Sequence, residues 1–265
     1  MTGLDALVLT ERLRAPNGPY AAVDLVASTG STNADLLARA GAADYTALVA
    51  AEQTAGRGRR SRQWASPAGS GVYLSVLVRP STVPADRLGS LSLVAGVALV
   101  RAARAVGVDT ALKWPNDLLV DGAKCAGVLA EVAPDGAAVV GIGLNVTAAP
   151  DAPAGPGDLL AGALGAAVDP TEVTAALLTA FAELETSWRG MNGDLAASGV
   201  LAAYRDNCAT LGRRVRAELP DGSAPTGVAT ELDVAGQLVL SLDDGTDATV
   251  SAGDVVHLRD EEIQG

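Results

Sequence analysis

The sequence predicts a mixed α/β fold, a β-sheet flanked by helices across residues 1–211, followed by a small β-barrel across residues 212–265. Three observations carry that prediction. Helix-like and strand-like periodicities alternate up to Asn145. Two helical segments follow with no strand between them. From Gly212 the chain changes to short apolar runs separated by turn residues.

In order, "STNADLLARAG" predicts a helix opened by a Ser or Thr cap, with Leu36, Leu37 and Ala40 on one side and an end near Gly41. "ALVAAEQ" has the pattern of a buried strand. "GVYLSVLVR" alternates Val72, Leu74, Val76 and Val78 against Tyr73, Ser75, Leu77 and Arg79, a strand with one face on a core. A helix rich in small residues spans Leu88 to Val106, and "TALKWPNDLLV", "AKCAGVLAEVA" and "AAVVGIGLNV" are three successive strands, the last two joined by the turn "PDGA". "TAAPDAPAGPGD" is a surface loop by its Pro and Gly content. Asp169, Pro170 and Glu172 then mark a helix start with the residues of a capping box. That helix runs to about Trp188, and a second covers roughly Leu195 to Ala209. After a boundary near Leu211, "RVRAELPDGS", "PTGVATELDVAG", "QLVLSLDDG" and "TDATVSAGDVVHLR" supply the barrel strands.

Composition excludes several classes of function. Among 265 residues, 49% are hydrophobic but only 3% aromatic, so the core must be built mainly of Ala, Val and Leu. Apolar runs are broken by Gly, Pro or charge before the roughly 20 residues of a membrane span, and no basic flank precedes an apolar stretch at the N-terminus. A cytoplasmic protein away from the membrane is the expectation. Cys125 and Cys208 lie far apart and His257 is the single histidine, which argues against a Cys/His metal site. The net charge is −12, and the residues from Gly212 onward, with 4 basic and 11 acidic side chains, contribute more than half of it. A nucleic-acid binder needs the opposite balance.

Against that background "TAGRGRRSRQW" stands out, with Arg57, Arg59, Arg60 and Arg62 in six positions after a strand end. Glycines alternating with arginines make a loop whose NH groups and guanidinium forks suit a phosphate; a solvated basic loop is the alternative. In "KWPND", a Pro within a strand pattern breaks the ladder and marks an edge or a site. Lys124 lies in an otherwise apolar run and needs an anion if buried, or a route to water if not.

The motifs "GSTN", "EQTAGRGRRSRQW", "KWPNDL", "KCAGVLAE" and "GIGLNV" together resemble biotin protein ligases in order and spacing, and the C-terminal segment fits that family as an SH3-like barrel. The resemblance implies a catalytic domain similar to class II aminoacyl-tRNA synthetases. It further implies activation of biotin with ATP and Mg²⁺ as biotinyl-5′-adenylate, then transfer to a lysine of a biotin carboxyl carrier domain. It places Ser31, Thr32, Asn33 and Gln53 on the biotin ring, residue types that match a ureido group needing donors and acceptors. Arg57, Gly58 and Arg59 fall in a loop closing over biotin and adenylate, Lys124 beside the biotin carboxylate and α-phosphate, and Trp64 on adenine, with Asn116, Asp117 and Asn145 for polar and Mg²⁺-linked contacts. Lys124, Arg59 and Asp117 are the implied catalytic set, with no metal site built by the protein itself.

A lipoate or octanoate ligase and a non-catalytic biotin-binding module are the alternatives. Cys125 beside Lys124 raises the cysteine chemistry of related octanoyl transferases, against its reading as a small apolar filler. About 25 residues precede the first matched strand, too few for a winged helix-turn-helix of roughly 60 residues. A ligase without nucleic-acid partner, monomeric or weakly dimeric, is the expectation. The C-terminal segment, acidic and lacking a donor cluster, is expected to assist transfer more than adenylation.

Overall fold

The computed structural model describes residues 3–39, 41–151, 159–219, 221–251 and 254–258. Seven strands form the main sheet: β1 (Ala22–Val26), β2 (Thr46–Ala50), β3 (Gly71–Val78), β4 (Ala111–Lys113), β5 (Asp117–Val120), β6 (Ala123–Val132) and β7 (Ala138–Asn145). They lie in the order β1-β2-β3-β7-β6-β5-β4, antiparallel except for the β1–β2 pair. Helices α1 (Ala6–Leu13), α3 (Leu91–Ala105), α4 (Pro170–Gly190) and α5 (Val200–Asp206) contribute to the large core, and α2 (Thr32–Ala38) packs on β3 and β7.

Small side chains decide the packing of α3. Gly96 lies so close to Tyr204 of α5 that a Cβ there would stand 3.1 Å from its ring. The segment Ala85–Ala105 is long and apolar enough to cross a membrane, contrary to the expectation from broken apolar runs. It is largely buried against α4 and the sheet, as a core helix would be. The strand β3 departs from its predicted half-exposed pattern, with seven of its eight residues buried. Leu77 joins Leu36, Leu48 and Val139 in a second, smaller core under α2, so both faces of the sheet are covered.

Asp169 caps α4 by accepting the Thr171 N–H, while Glu172 pairs with Arg12 of α1 at 2.8 Å. The predicted helix Leu195–Ala209 is helical only over α5, and residues 207–209 instead run beside β4. Ala40 and residues 152–158 of the predicted surface loop lie outside the described residues.

The C-terminal strands β8 (Arg214–Glu218), β9 (Thr226–Leu232), β10 (Leu238–Leu242), β11 (Asp247–Val250) and β12 (Asp254–His257) form one antiparallel sheet in the order β11-β10-β9-β8-β12, which fits an SH3-like domain. Its inward residues, among them Val215, Ala229 and Leu240, belong to the same core cluster as the main sheet.

Candidate active site

One pocket gathers every site residue that the sequence predicts. Its floor is the face of β6 and β7 opposite α3. Gly127 pairs with Gly143 across the two strands, and Gly141 shares their face two residues along. The absence of side chains there admits larger neighbours. A Cβ on Gly141 would lie 2.2 Å from Asn33 Oδ1, and one on Gly143 2.3 Å from Trp64 Nε1. Glycine within a strand marks such close approaches.

A register shift chooses which residue of β6 enters the pocket. Leu118 pairs with Ala126 but Leu119 with Lys124, leaving Cys125 as the extra residue of a bulge. Strict alternation back from Gly127 would put Cys125 in the pocket and Lys124 in the core. The bulge reverses them. Lys124 Nζ meets Asp117 Oδ1 at 2.8 Å and lies 5.4 Å from the Trp64 ring. Cys125 is fully buried in the core, its thiol donating to the Asn145 carbonyl and its pKa pushed up to about 12 by burial. A thiol so placed does not reach the pocket, which removes the thioester alternative.

The opposite wall is the start of α2. Ser31 caps the helix. The Thr32 N–H and hydroxyl both donate to Gln53 Oε1, at 2.9 and 3.1 Å, and Gln53 Nε2 donates to Ser66 Oγ. Asn33 is tied on all sides: its amide nitrogen donates to Glu131 Oε2 at 2.8 Å and to the Leu129 carbonyl, and its oxygen accepts from Ser75 at 2.6 Å.

The arginine loop folds over the mouth as a narrow antiparallel excursion. Trp64 N–H donates to the Gly56 carbonyl and Gly58 N–H to the Arg62 carbonyl, with Arg60 at φ +53° near the tip. Arg57, Arg59 and Arg60 reach different walls. Arg57 stands 3.9 Å from Glu131, Arg59 donates to Asn116 Oδ1 at 3.1 Å, and Arg60 donates to the Leu219 carbonyl and lies 3.8 Å from Glu218. Asn116 is held in turn by its donation to the Val128 carbonyl. Asn145 donates to the Gly162 carbonyl, while its Oδ1 and the Trp64 indole N–H are buried without a hydrogen-bond partner among the described residues.

Sequence reasoning missed several residues here. Ser66, Ser75 and Glu131 work behind the named groups and carry no motif of their own beyond Glu131's place in "KCAGVLAE". Glu218, Val255 and Val256, from the C-terminal strands, line the same pocket. The segment expected to assist transfer more than adenylation thus also borders this pocket. His257 is half-buried and belongs to the support of the same wall, described below.

Residues 23–146 match the biotin/lipoate A/B protein ligase family, and residues 210–258 match the biotin protein ligase C-terminal domain. The biotin--[acetyl-CoA-carboxylase] ligase of Mycobacterium tuberculosis is 44% identical over 263 residues, covering 97% of this chain and 96% of that protein. The ligase of the same name from Paracoccus denitrificans is 36% identical over 82% of this chain and 92% of its own length. Among solved structures, the biotin protein ligase from Aquifex aeolicus in complex with biotin and ATP superposes with a TM-score of 0.77 at 26% identity, over 91% of this chain and all of that one. Likeness along nearly the whole chain, together with a pocket that assembles all five motifs, places the protein in the biotin/lipoate A/B protein ligase family, among the biotin protein ligases.

Proposed function

We propose that the chain activates biotin with ATP as biotinyl-5′-adenylate and transfers the biotinyl group to a lysine of the biotin carrier domain of a carboxylase. The observation that carries this reading is the Lys124–Asp117 pair beside Trp64, at the foot of a pocket whose other end is the Thr32–Gln53–Asn33 array.

The roles follow from the chemistry of each group. Thr32, Gln53 and Asn33 offer donors and acceptors for a ureido ring, with Ser31 holding the helix end beneath them. Trp64 offers a face for adenine and Asn145 a buried acceptor for its amino group. The Lys124 ammonium stands where a biotin carboxylate would attack the α-phosphate and offsets the charge that develops there. Asp117 orients that ammonium, and Arg59, braced by Asn116, serves the phosphates with Arg57 and Gly58 closing the loop. Mg²⁺ would travel on the triphosphate and shield its charge. One carboxylate, Asp117, and the Asn145 amide oxygen fit a metal that keeps most of its ligands from phosphate and water, and no cluster of three metal-ligating side chains occurs among the described residues.

We further take the enzyme to act in the cytoplasm as a monomer or weak dimer without nucleic acid or membrane, in line with its charge of −12. The domain boundary is proposed near Leu211. Incubation with ATP, Mg²⁺, an acceptor carrier domain and either biotin or lipoate, read by intact mass, tests the function. Addition of a biotinyl mass alone is the expected result, and a lipoyl adduct or none would reject it.

A further inference from the structure

The catalytic corner Lys113–Asp117 is supported from a direction that no motif announces. The strand β4 is the edge of the main sheet, and residues 207–209 run parallel to it: Leu112 N–H donates to the Asn207 carbonyl at 2.7 Å, and Ala209 N–H to the Leu112 carbonyl at 2.8 Å. A regular parallel ladder would next send the Trp114 N–H to the Ala209 carbonyl. It goes instead to the Thr210 hydroxyl, at 3.0 Å.

Thr210 is fully buried, and its oxygen lies 3.1 Å from His257 Nε2 on β12. Thr210 accepts from Trp114, and with a neutral ring His257 Nε2 either accepts the hydroxyl proton or donates its own to the same oxygen, according to its tautomer. Burial, with the charges of Lys113 and Arg213 behind it, pushes the His257 pKa down to about 4, so the ring is neutral near pH 7. The Cys208 thiol lies beside the same hydroxyl and is kept neutral by burial. A second tether comes from the same domain: the Trp114 indole N–H donates to the Gly236 carbonyl at 2.9 Å. The same corner carries Asn116, which braces Arg59, and Asp117, which pairs with Lys124.

We propose that Thr210, backed by His257, is a positioning residue for adenylate formation: its hydroxyl completes the edge ladder at Trp114 and so holds Asn116 and Asp117 in register with the two cations. The C-terminal segment then serves the first half-reaction from behind this corner, through His257 on the Thr210 hydroxyl and the Gly236 carbonyl on the Trp114 indole. This rests on the function proposed above and adds a residue to it.

The test uses the full chain in biotin-dependent ATP–pyrophosphate exchange, with ATP and biotin varied separately. Thr210→Val keeps the shape but strands a buried donor, and kcat/KM for ATP should fall by about ten-fold while KM for biotin stays within about two-fold. Thr210→Ser restores the hydroxyl and should recover most of the loss. Should Thr210→Val fail to fold, His257→Phe removes only the ring nitrogen behind the hydroxyl, with an expected loss of about three-fold confined to ATP. Unchanged ATP parameters in the folded variants, or equal losses for both substrates without rescue by Ser, would overturn the positioning role. Absence of exchange in the wild-type chain would instead overturn the assigned function and the proposal with it.

Discussion

The floor and the lid of the pocket are built to different standards. On the floor and the α2 wall, Asn33, Thr32 and Gln53 are each less than half exposed and held by hydrogen bonds, several of them 2.6 to 2.9 Å, while Asp117 faces Lys124 in an ion pair at 2.8 Å. On the lid, the Arg57 side chain is 59% exposed with its acidic partner 3.9 Å away, and the Arg60–Glu218 pair is similarly long and open. Exposed pairs of this kind contribute only about 0–1 kcal/mol each. The floor is therefore preorganised for one geometry. The Arg57 and Arg60 pairs of the lid are weak enough to be exchanged for phosphate oxygens and re-formed, as a reactive adenylate requires between formation and transfer.

Breaking the floor at its charged centre should have the largest effect. Lys124→Ala removes the cation that meets the transition state, a loss of about 2.7–4 kcal/mol for comparable groups, so exchange should drop by orders of magnitude with the circular dichroism unchanged. Exchange within a few-fold of wild type would show that the centre lies elsewhere.

A steric change on the same floor comes next. Gly143→Ala places a methyl 2.3 Å from the Trp64 indole nitrogen, and the indole must move off the sheet. Stacking on an aromatic face contributes about 1–3 kcal/mol per base, so KM for ATP should rise by about ten-fold or more while biotin binding, measured calorimetrically, persists. A variant with normal ATP affinity would mean that Trp64 does not carry the adenine.

The lid is tested by Arg59→Gly, which removes the guanidinium on Asn116 and adds a third glycine to "GRG". Adenylate should still form but dissociate faster, and an added bystander protein should become biotinylated. A wild-type release rate in stopped flow, with a clean blot of the bystander, would make the lid no more than a solvated loop.

The smallest effect is expected from Cys125→Ala. It deletes one buried sulfur facing away from the pocket and costs stability of about 1 kcal/mol, with turnover nearly unaltered in the intact-mass assay. Loss of activity with a normal melting temperature would return the cysteine to the chemistry.

Local grammar, read from the sequence alone, determined much of this protein. The α2 cap at Ser31, the turn at "PDGA", the ladder break at Pro115 and the alternating glycines of "GIGLN" all express backbone preferences that hold wherever the segments go, and the five motifs named the pocket's main side chains. Three decisions belonged to tertiary structure. The bulge at Cys125 depends on how β5 and β6 pair, and a shift of one residue exchanged the nucleophile candidate for the cation. The stretch after α5 reads as helix by composition, yet it left the helix to satisfy the open edge of β4, because unpaired backbone groups at a buried edge are costly. Glu218 reached the pocket, and His257 came to stand behind Thr210, only because the second sheet shares a core with the first. Contacts between residues nearly 150 positions apart, such as Trp114 and His257 through Thr210, leave no periodicity in the chain from which they could be read.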